Sequence, residues 1–172
     1  AIYKLKEIDE KFKIFKNTTS IIDLGAAPGS WSQYIIRQYK KSLVLAIDLL
    51  DFEHIDKVNK IVGDFTKSEN KEKIKNFFNK KVDVVISDMA VNTTGNKNLD
   101  AIVTGELCIE AMEFAFEMLD KKGKFVSKIF MGSSFNEIVA DAKKKFREVN
   151  IFKPLSSRKD SKESFIICKF LR

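Results

Sequence analysis

The sequence has few of the residues that build metal centres and disulfide frameworks. Cys108, Cys168 and His54 are the only cysteines and histidine in its 172 residues. The cysteines have neither CxxC spacing nor a neighbouring histidine, so no metal site is expected. Each cysteine lies in an apolar pattern that is typical of a buried thiol. The sequence therefore indicates a protein from a reducing, intracellular compartment.

Long apolar runs are absent too. No stretch of about 18 apolar residues occurs, which excludes a transmembrane helix of ordinary length. The first ten residues are rich in lysine and in acids, unlike a secretory signal or a transit peptide. We expect a cytoplasmic protein, or an organellar one if a targeting segment has been removed.

Only two prolines occur, and no linker or repeat divides the chain. A hydrophobic content of 44% and 15 phenylalanines favour a folded domain over disorder. The length suits one domain over residues 1–172, which we expect to be a monomer. The net charge of +7 suits a polyanionic partner such as RNA, although a lysine-rich proteome explains it equally well.

Short apolar runs alternate with helical patterns along the chain. The predicted strands are Ser20–Leu24, Leu43–Asp48, Lys60–Gly63, Val82–Asp88, Lys124–Phe130, Arg147–Phe152 and Ser164–Phe170. The predicted helices are Trp31–Tyr39, Glu69–Phe78, Thr104–Leu119 and Ser134–Phe146, after an opening helix that carries Leu5, Ile8, Phe12 and Phe15 on one face. The alternation predicts an α/β fold with a mostly parallel seven-stranded sheet and helices on both faces. No helix separates the last two strands, which predicts an antiparallel hairpin there.

Open α/β sheets bind ligands at the carboxyl ends of their strands. The first predicted strand runs into the turn from Asp23 to Gly29, and the next three reach Asp48, Asp64 and Asp88. Gly25 and Gly29 suit a turn that approaches a ligand closely, and the helix after them can direct amides at an anion. Asp48 can accept hydrogen bonds from ribose hydroxyls, and Asp64 can accept one from an adenine amino group. This pattern favours S-adenosylmethionine, with NAD as the main competitor.

Lys128 is a charged residue inside an otherwise apolar predicted strand. A lysine buried there is costly without a partner or a function, and Asp88 is its expected partner. A lysine in such a position can act on the proton of a ribose hydroxyl. A surface-facing lysine on an edge strand is the alternative.

Five segments resemble the FtsJ/RrmJ family of ribose 2′-O-methyltransferases, in order along essentially the whole chain. They are Tyr3–Leu5, Asp23–Tyr34, Ser87–Ala90, Ser127–Phe130 and Ser157–Glu163. The resemblance implies the Rossmann-like fold of S-adenosylmethionine-dependent methyltransferases. It also implies a catalytic tetrad of Lys4, Asp88, Lys128 and Glu163. It further implies cofactor contacts at Gly29, Trp31, Asp48, Asp64 and Asp88.

The substrate implied by the resemblance is RNA, at a 2′-hydroxyl of a uridine in large-subunit ribosomal RNA within a ribosomal subunit. A tRNA methyltransferase, a small-molecule or protein methyltransferase, and a non-catalytic RNA-binding assembly factor remain alternatives. The candidate RNA-contact segments are Lys40–Lys41 and the loop 153–162, whereas Lys143–Lys145 is interpreted as a solvated helix face.

Overall fold

The computed structural model describes residues 2–89, 95–132, 134–157 and 163–172. Its elements follow one another along the chain with strands and helices in alternation. In chain order they are α1 (Ile2–Phe12), β1 (Ser20–Leu24), α2 (Ser30–Gln38), β2 (Leu43–Asp48), β3 (Val58–Val62), α3 (Ser68–Phe78), β4 (Val82–Ser87), α4 (Lys97–Met118), β5 (Leu119–Phe130), α5 (Phe135–Lys145), β6 (Phe146–Phe152) and β7 (Glu163–Leu171).

The seven strands form one sheet in the order β3-β2-β1-β4-β5-β7-β6. Strands β1 to β5 pair in parallel, whereas β7 lies antiparallel between β5 and β6. The predicted fold class and the antiparallel final hairpin are therefore confirmed. The strand order reverses beside β1, so the carboxyl ends of β1, β2 and β4 flank the crevice where such sheets bind ligands.

Strand β1 shows how the sheet is covered on both faces. All five of its residues are buried. Ile21 packs in a cluster with α1 and α2, whereas Ile22 packs in a cluster with α3, α4 and α5. Successive side chains of a strand point to opposite faces, so a run that is apolar throughout fits a strand buried on both sides.

Several boundaries differ from the predicted ones. Helix α1 ends at Phe12 because Lys13 takes a left-handed φ of 55°. Phe15 is nevertheless buried, and its amide donates to a carboxylate oxygen of Asp9 at 3.2 Å. Strand β3 begins two residues before the predicted Lys60, at Val58. Helix α4 and strand β5 also begin earlier than predicted.

Cys108 and Cys168 are free and buried, as predicted. Burial raises the pKa of the Cys108 thiol to about 11, which makes it a poor nucleophile at neutral pH. Within the part of the chain that the structure describes, no helix is long and apolar enough to cross a membrane.

Candidate active site

The turn after β1 is shaped by its two glycines. Gly25 has a φ of +66° and Gly29 a φ of +108°, both in the region that favours glycine. A Cβ atom at Gly25 would lie 2.1 Å from Cγ of Met89, and one at Gly29 would lie 2.3 Å from Cδ1 of Ile55. Helix α2 begins directly after this turn, at Ser30. Backbone conformation therefore favours glycine at both positions, and packing against Met89 adds to this at Gly25, whereas at Gly29 the close atom is the tip of a side chain that can move.

The carboxylate of Asp48 holds this turn against the end of β2. One of its oxygens accepts a hydrogen bond from the amide of Ala27 at 2.8 Å, and the other accepts one from the amide of Leu50 at 2.8 Å. Each carboxylate oxygen has a second lone pair, so Asp48 can still accept hydrogen bonds from a ligand.

A cleft of about 440 Å³ opens at the carboxyl ends of β1, β2 and β4. This volume lies in the range of small-molecule sites. Its lining includes Gly25, Asp48, Asp64 and Asp88 of the predicted cofactor residues. Asp64 accepts hydrogen bonds from the hydroxyl and the amide of Thr66, which lower the pKa of its carboxyl group.

Two predicted cofactor residues do not line this cleft. Gly29 caps α2, and its carbonyl accepts a hydrogen bond from the amide of Gln33 at 3.0 Å. Trp31 is buried, and its ring lies 5.8 Å from that of Phe165. Any part they take in cofactor binding remains a prediction.

Four charged side chains from distant parts of the chain form a row beside the cleft. The ammonium nitrogen of Lys128 lies 3.0 Å from Oδ1 of Asp88 and 3.4 Å from Oε2 of Glu163. The other oxygen of Glu163 accepts a hydrogen bond from Lys4 at 2.5 Å. The predicted tetrad is thus assembled in the order Asp88, Lys128, Glu163, Lys4. The predicted pairing of Lys128 with Asp88 on a central strand is observed, because β5 lies between β4 and β7.

The two acids of this row differ in electrostatic environment. Burial raises the pKa of Asp88, and the nearby Lys128 only partly opposes that effect. For Glu163 burial acts in the same direction, but the hydrogen bond from Lys4 and the charge of Lys128 outweigh it, so its pKa lies below the ordinary value. Oδ1 of Asp88 is buried and faces the ammonium of Lys128 at 3.0 Å. A carboxylate oxygen has two lone pairs, so the Asp88 carboxylate, which lines the cleft, can also accept a hydrogen bond from a bound molecule.

Asp23, beneath the glycine turn, was not predicted as a site residue. It is buried, and Oδ2 accepts a hydrogen bond from the Ser32 hydroxyl at 2.7 Å. Burial raises its pKa to about 7, with Asp88 and Asp48 adding to the effect. The signal for this residue was an acid inside the apolar strand Ser20–Leu24, since such an acid is buried only at a cost.

Sequence reasoning also missed several residues that line the cleft. They are Phe65, Met89, Leu107 and Glu110. Phe65 and Met89 directly follow the predicted acids Asp64 and Asp88, so their positions next to the strand ends were a usable signal. Leu107 and Glu110 come from α4, three residues apart on one helix face, and no strand-end rule points to them.

The candidate RNA-contact segments fall in different surroundings. Lys40 and Lys41 are exposed. The loop after β6 is tied to α1, because Glu7 accepts hydrogen bonds from the amides of Leu155 at 2.6 Å and Ser156 at 2.9 Å. Residues 158–162 of that loop lie outside the described residues.

Strand β7 is antiparallel to β5, and the cleft lies beside β1, where the strand order reverses. These two features are those of the Rossmann-like methyltransferase fold. Solved structures and sequence relatives agree. The crystal structure of a protein described as a ribosomal RNA methyltransferase from Plasmodium falciparum superimposes with a TM-score of 0.89 at 31% identity, covering 99% of this chain and 96% of that one.

Sequence comparison identifies the family. The model of the FtsJ-like methyltransferase family matches residues 1–171. Ribosomal RNA large subunit methyltransferase E of Pelagibacter ubique is 68% identical over 172 residues, covering 100% of this chain and 85% of the relative. The protein of the same name from Rickettsia bellii is 43% identical over 173 residues, covering 97% of this chain and 76% of the relative. The chain belongs to the FtsJ-like methyltransferase family, which confirms the predicted resemblance and the predicted enzyme class.

Proposed function

We propose that this enzyme transfers a methyl group from S-adenosylmethionine to a ribose 2′-hydroxyl of large-subunit ribosomal RNA. The observation that carries the proposal is the row Asp88–Lys128–Glu163–Lys4 at the edge of a cleft of cofactor size. The relatives named as large-subunit ribosomal RNA methyltransferases support the choice of RNA.

The residues that line the cleft fit S-adenosylmethionine. The carboxylate of Asp48 has lone pairs left for ribose hydroxyls, and Asp64 lies at the next strand end. The apolar side chains of Ile47, Phe65 and Leu107 offer a surface for the adenine ring. The carboxylate of Asp88 lines the cleft and suits the positively charged amino group of the methionine part. When bound, the cofactor supplies an activated methyl group on its sulfonium sulfur.

Lys128 is the group we assign to the proton of the 2′-hydroxyl. In its neutral form its amine can accept that proton while the 2′-oxygen takes the methyl group. Asp88 and Glu163, 3.0 Å and 3.4 Å away, then stabilise the ammonium ion. Lys4 keeps Glu163 ionised and fixed in place. The 2′-hydroxyl is a weak nucleophile, so positioning by these groups supplies much of the rate.

The finer features of the substrate belong to the same proposal. We propose a uridine as the target nucleotide, RNA within a ribosomal subunit as the natural substrate, and a monomeric enzyme. With ribosomal subunits as the proposed acceptor, we propose that the enzyme acts in the cytoplasm, or in an organelle if a targeting segment has been removed.

The test supplies the purified enzyme with S-adenosylmethionine labelled in its methyl group. Large ribosomal subunits, free large-subunit ribosomal RNA and tRNA are offered as separate acceptors. We expect label in the large subunit, at a nucleotide whose 3′ linkage becomes resistant to alkaline hydrolysis, and no label with the Lys128→Ala variant. Label confined to tRNA, label on a base, or RNA binding without transfer would each overturn the proposal.

A further inference from the structure

A second concavity lies along α1, away from the cofactor cleft. Its volume is about 910 Å³, roughly twice that of the cleft. One stripe of α1, the end of α2 and the loops before β1 and β2 form its walls. We call this concavity the α1 groove.

Lysines dominate the charge of the α1 groove. Lys6, Lys13, Lys16, Lys40 and Lys41 line it, and all five are exposed. None of them forms an ion pair with another described residue, whereas lysines elsewhere on the surface do, such as Lys60 with Asp51 and Lys75 with Glu117. The groove therefore presents uncompensated positive charge.

The acids that line the groove do little to neutralise these lysines. Asp9 is buried and accepts hydrogen bonds from the hydroxyls of Tyr34 at 3.0 Å and Tyr39 at 2.6 Å. Its carboxylate is therefore held inside the protein by these two hydroxyl groups. Glu10 is exposed but stands against five lysines.

The groove begins beside the tetrad. Tyr3 and Lys6 line it, while Lys4, between them in the sequence, binds Glu163. From Tyr3 to Phe12 the helix rises about 14 Å, since each residue adds about 1.5 Å, and Lys13 follows its last turn. The side chain of Tyr3 is 70% exposed, so an aromatic ring stands at the end of the groove next to the tetrad.

We propose that the α1 groove binds the RNA strand that flanks the methylated nucleotide, with lysines on its phosphates and a base stacked on Tyr3. The inference rests on the proposed function and adds the path of the substrate. Lysine, asparagine and threonine side chains are common phosphate contacts, and Asn17 and Thr18 lie at the lysine-rich end. An exposed aromatic ring next to such a path suits a nucleobase, because every base can stack on it. An acidic protein segment would match the lysines but would gain nothing specific from that ring.

The test measures binding of unmethylated large-subunit ribosomal RNA, transcribed in vitro, across a range of salt concentrations. The groove variants are Lys13→Ala/Lys16→Ala and Lys40→Ala/Lys41→Ala. The control is Lys143→Ala/Lys144→Ala, which removes the same charge from exposed lysines on α5 outside the groove. For each groove pair we expect Kd to rise about tenfold near physiological salt and the slope of log K against log salt to fall by about 1.4, because each single-strand phosphate contact contributes about 0.7. The control should change Kd less than twofold.

Tyr3 is tested with a pair of variants. Tyr3→Ala should weaken RNA binding roughly tenfold, whereas Tyr3→Phe should bind as the wild type does, because stacking requires the ring and not the hydroxyl. In methyl transfer the effect of the groove variants should fall on KM for RNA. Titration with S-adenosylhomocysteine checks that each variant is folded.

The outcomes separate this inference from the proposed function. If the wild type methylates large-subunit RNA but the groove and control pairs weaken binding equally, the α1 groove is not the RNA path and the proposed function stands. Groove variants that bind RNA like the wild type would overturn the inference in the same way. If the wild type methylates no RNA, the proposed function is wrong, and the inference about the α1 groove is wrong with it because it rests on that function.

Discussion

Replacement of Lys128 by methionine is the sharpest test of the tetrad. Methionine keeps most of the length and the apolar stem of lysine but removes the amine. The ammonium lies 3.0 Å from Asp88 and 3.4 Å from Glu163, so its loss leaves two carboxylates with Lys4 as the remaining partner in the row. Both the rate of methyl transfer and the free energy of unfolding should fall, by different amounts.

The expected loss in rate follows from the role of the amine. Removal of a positioned proton acceptor costs about 10²- to 10⁴-fold, or about 3 to 5 kcal/mol in the barrier. The stability should fall less. The side chains of Lys128 and Asp88 are 12% and 24% exposed, so the pair lies between a fully buried one and a surface one. We expect a loss of about 1 to 2 kcal/mol, because Asp88 can take up a proton when its partner is gone.

Single-turnover methyl transfer measures the rate, and titration with S-adenosylhomocysteine measures the cofactor site separately. The matched control is Lys145→Met, since Lys145 pairs with Asp141 at 2.7 Å on α5 and has 22% of its side chain exposed. The control should keep its rate. A Lys128→Met enzyme that transfers methyl within tenfold of the wild type would refute the proposed role. So would a loss of rate that parallels a loss of S-adenosylhomocysteine binding, because the lysine would then serve the cofactor site instead.

Three further predictions concern the glycine turn and the acids around it. Gly25→Ala should lower the free energy of unfolding by more than 2 kcal/mol and weaken S-adenosylhomocysteine binding, since a Cβ there would lie 2.1 Å from Cγ and 3.3 Å from Cβ of Met89. In contrast, Gly95→Ala, at a φ of +86° with no atom of a described residue within 4 Å of the added Cβ, should cost only about 1 to 2 kcal/mol in urea unfolding; equal losses would contradict the packing argument. Asp48→Ala removes the acceptor for the Ala27 amide and should weaken S-adenosylhomocysteine at least tenfold in calorimetry, and an unchanged affinity would exclude Asp48 from the site. The third prediction, with Asp23→Asn as the reference variant, concerns pH. The pKa of Asp23 is raised from 3.8 to about 7 in the folded state. Between these two values the folded state binds a proton that the unfolded state has lost, so stability falls as pH rises from about 4 to 7. Relative to Asp23→Asn, the wild type should lose on the order of 4 kcal/mol over that interval in urea unfolding, and parallel profiles would contradict the burial argument.

The parts of the fold that could be predicted are those whose local pattern agrees with their final surroundings. The bounds of β1 and β2 match the predicted ones, because each is a short apolar run between turn residues and is buried on both faces. Strand β5 begins at Leu119, not at Lys124, because Leu119 pairs with Val82 across an irregular register. Residues 120–123 are polar or glycine, and only the pairing of the residues on either side of them with β4 includes them in the strand.

The start of helix α4 could not be predicted from hydrophobic periodicity. It begins at Lys97, seven residues before the predicted start at Thr104. In its first turns Leu99 and Ile102 are 45% and 39% exposed, so their spacing does not mark a stripe that faces the core. Periodicity identifies a helix by the face it buries, and these turns bury little of that face.

Two residues of the tetrad could be predicted from the rule that ligands bind at the carboxyl ends of parallel strands, and the other two could not. Asp88 follows β4, and Lys128 lies near the carboxyl end of β5, so two of the four residues follow from the parallel part of the sheet. Glu163 begins β7 and would be placed at the far edge if that strand were parallel. Because β7 is antiparallel to β5, Glu163 lies opposite Phe130, at the same rim as Asp88. A strand that runs against the others brings its first residue to the catalytic edge, so an acid at the start of an antiparallel final strand should be counted among the candidate site residues. No comparable rule predicts Lys4, because α1 precedes the sheet and is positioned only by packing. The family resemblance was the one signal for this residue.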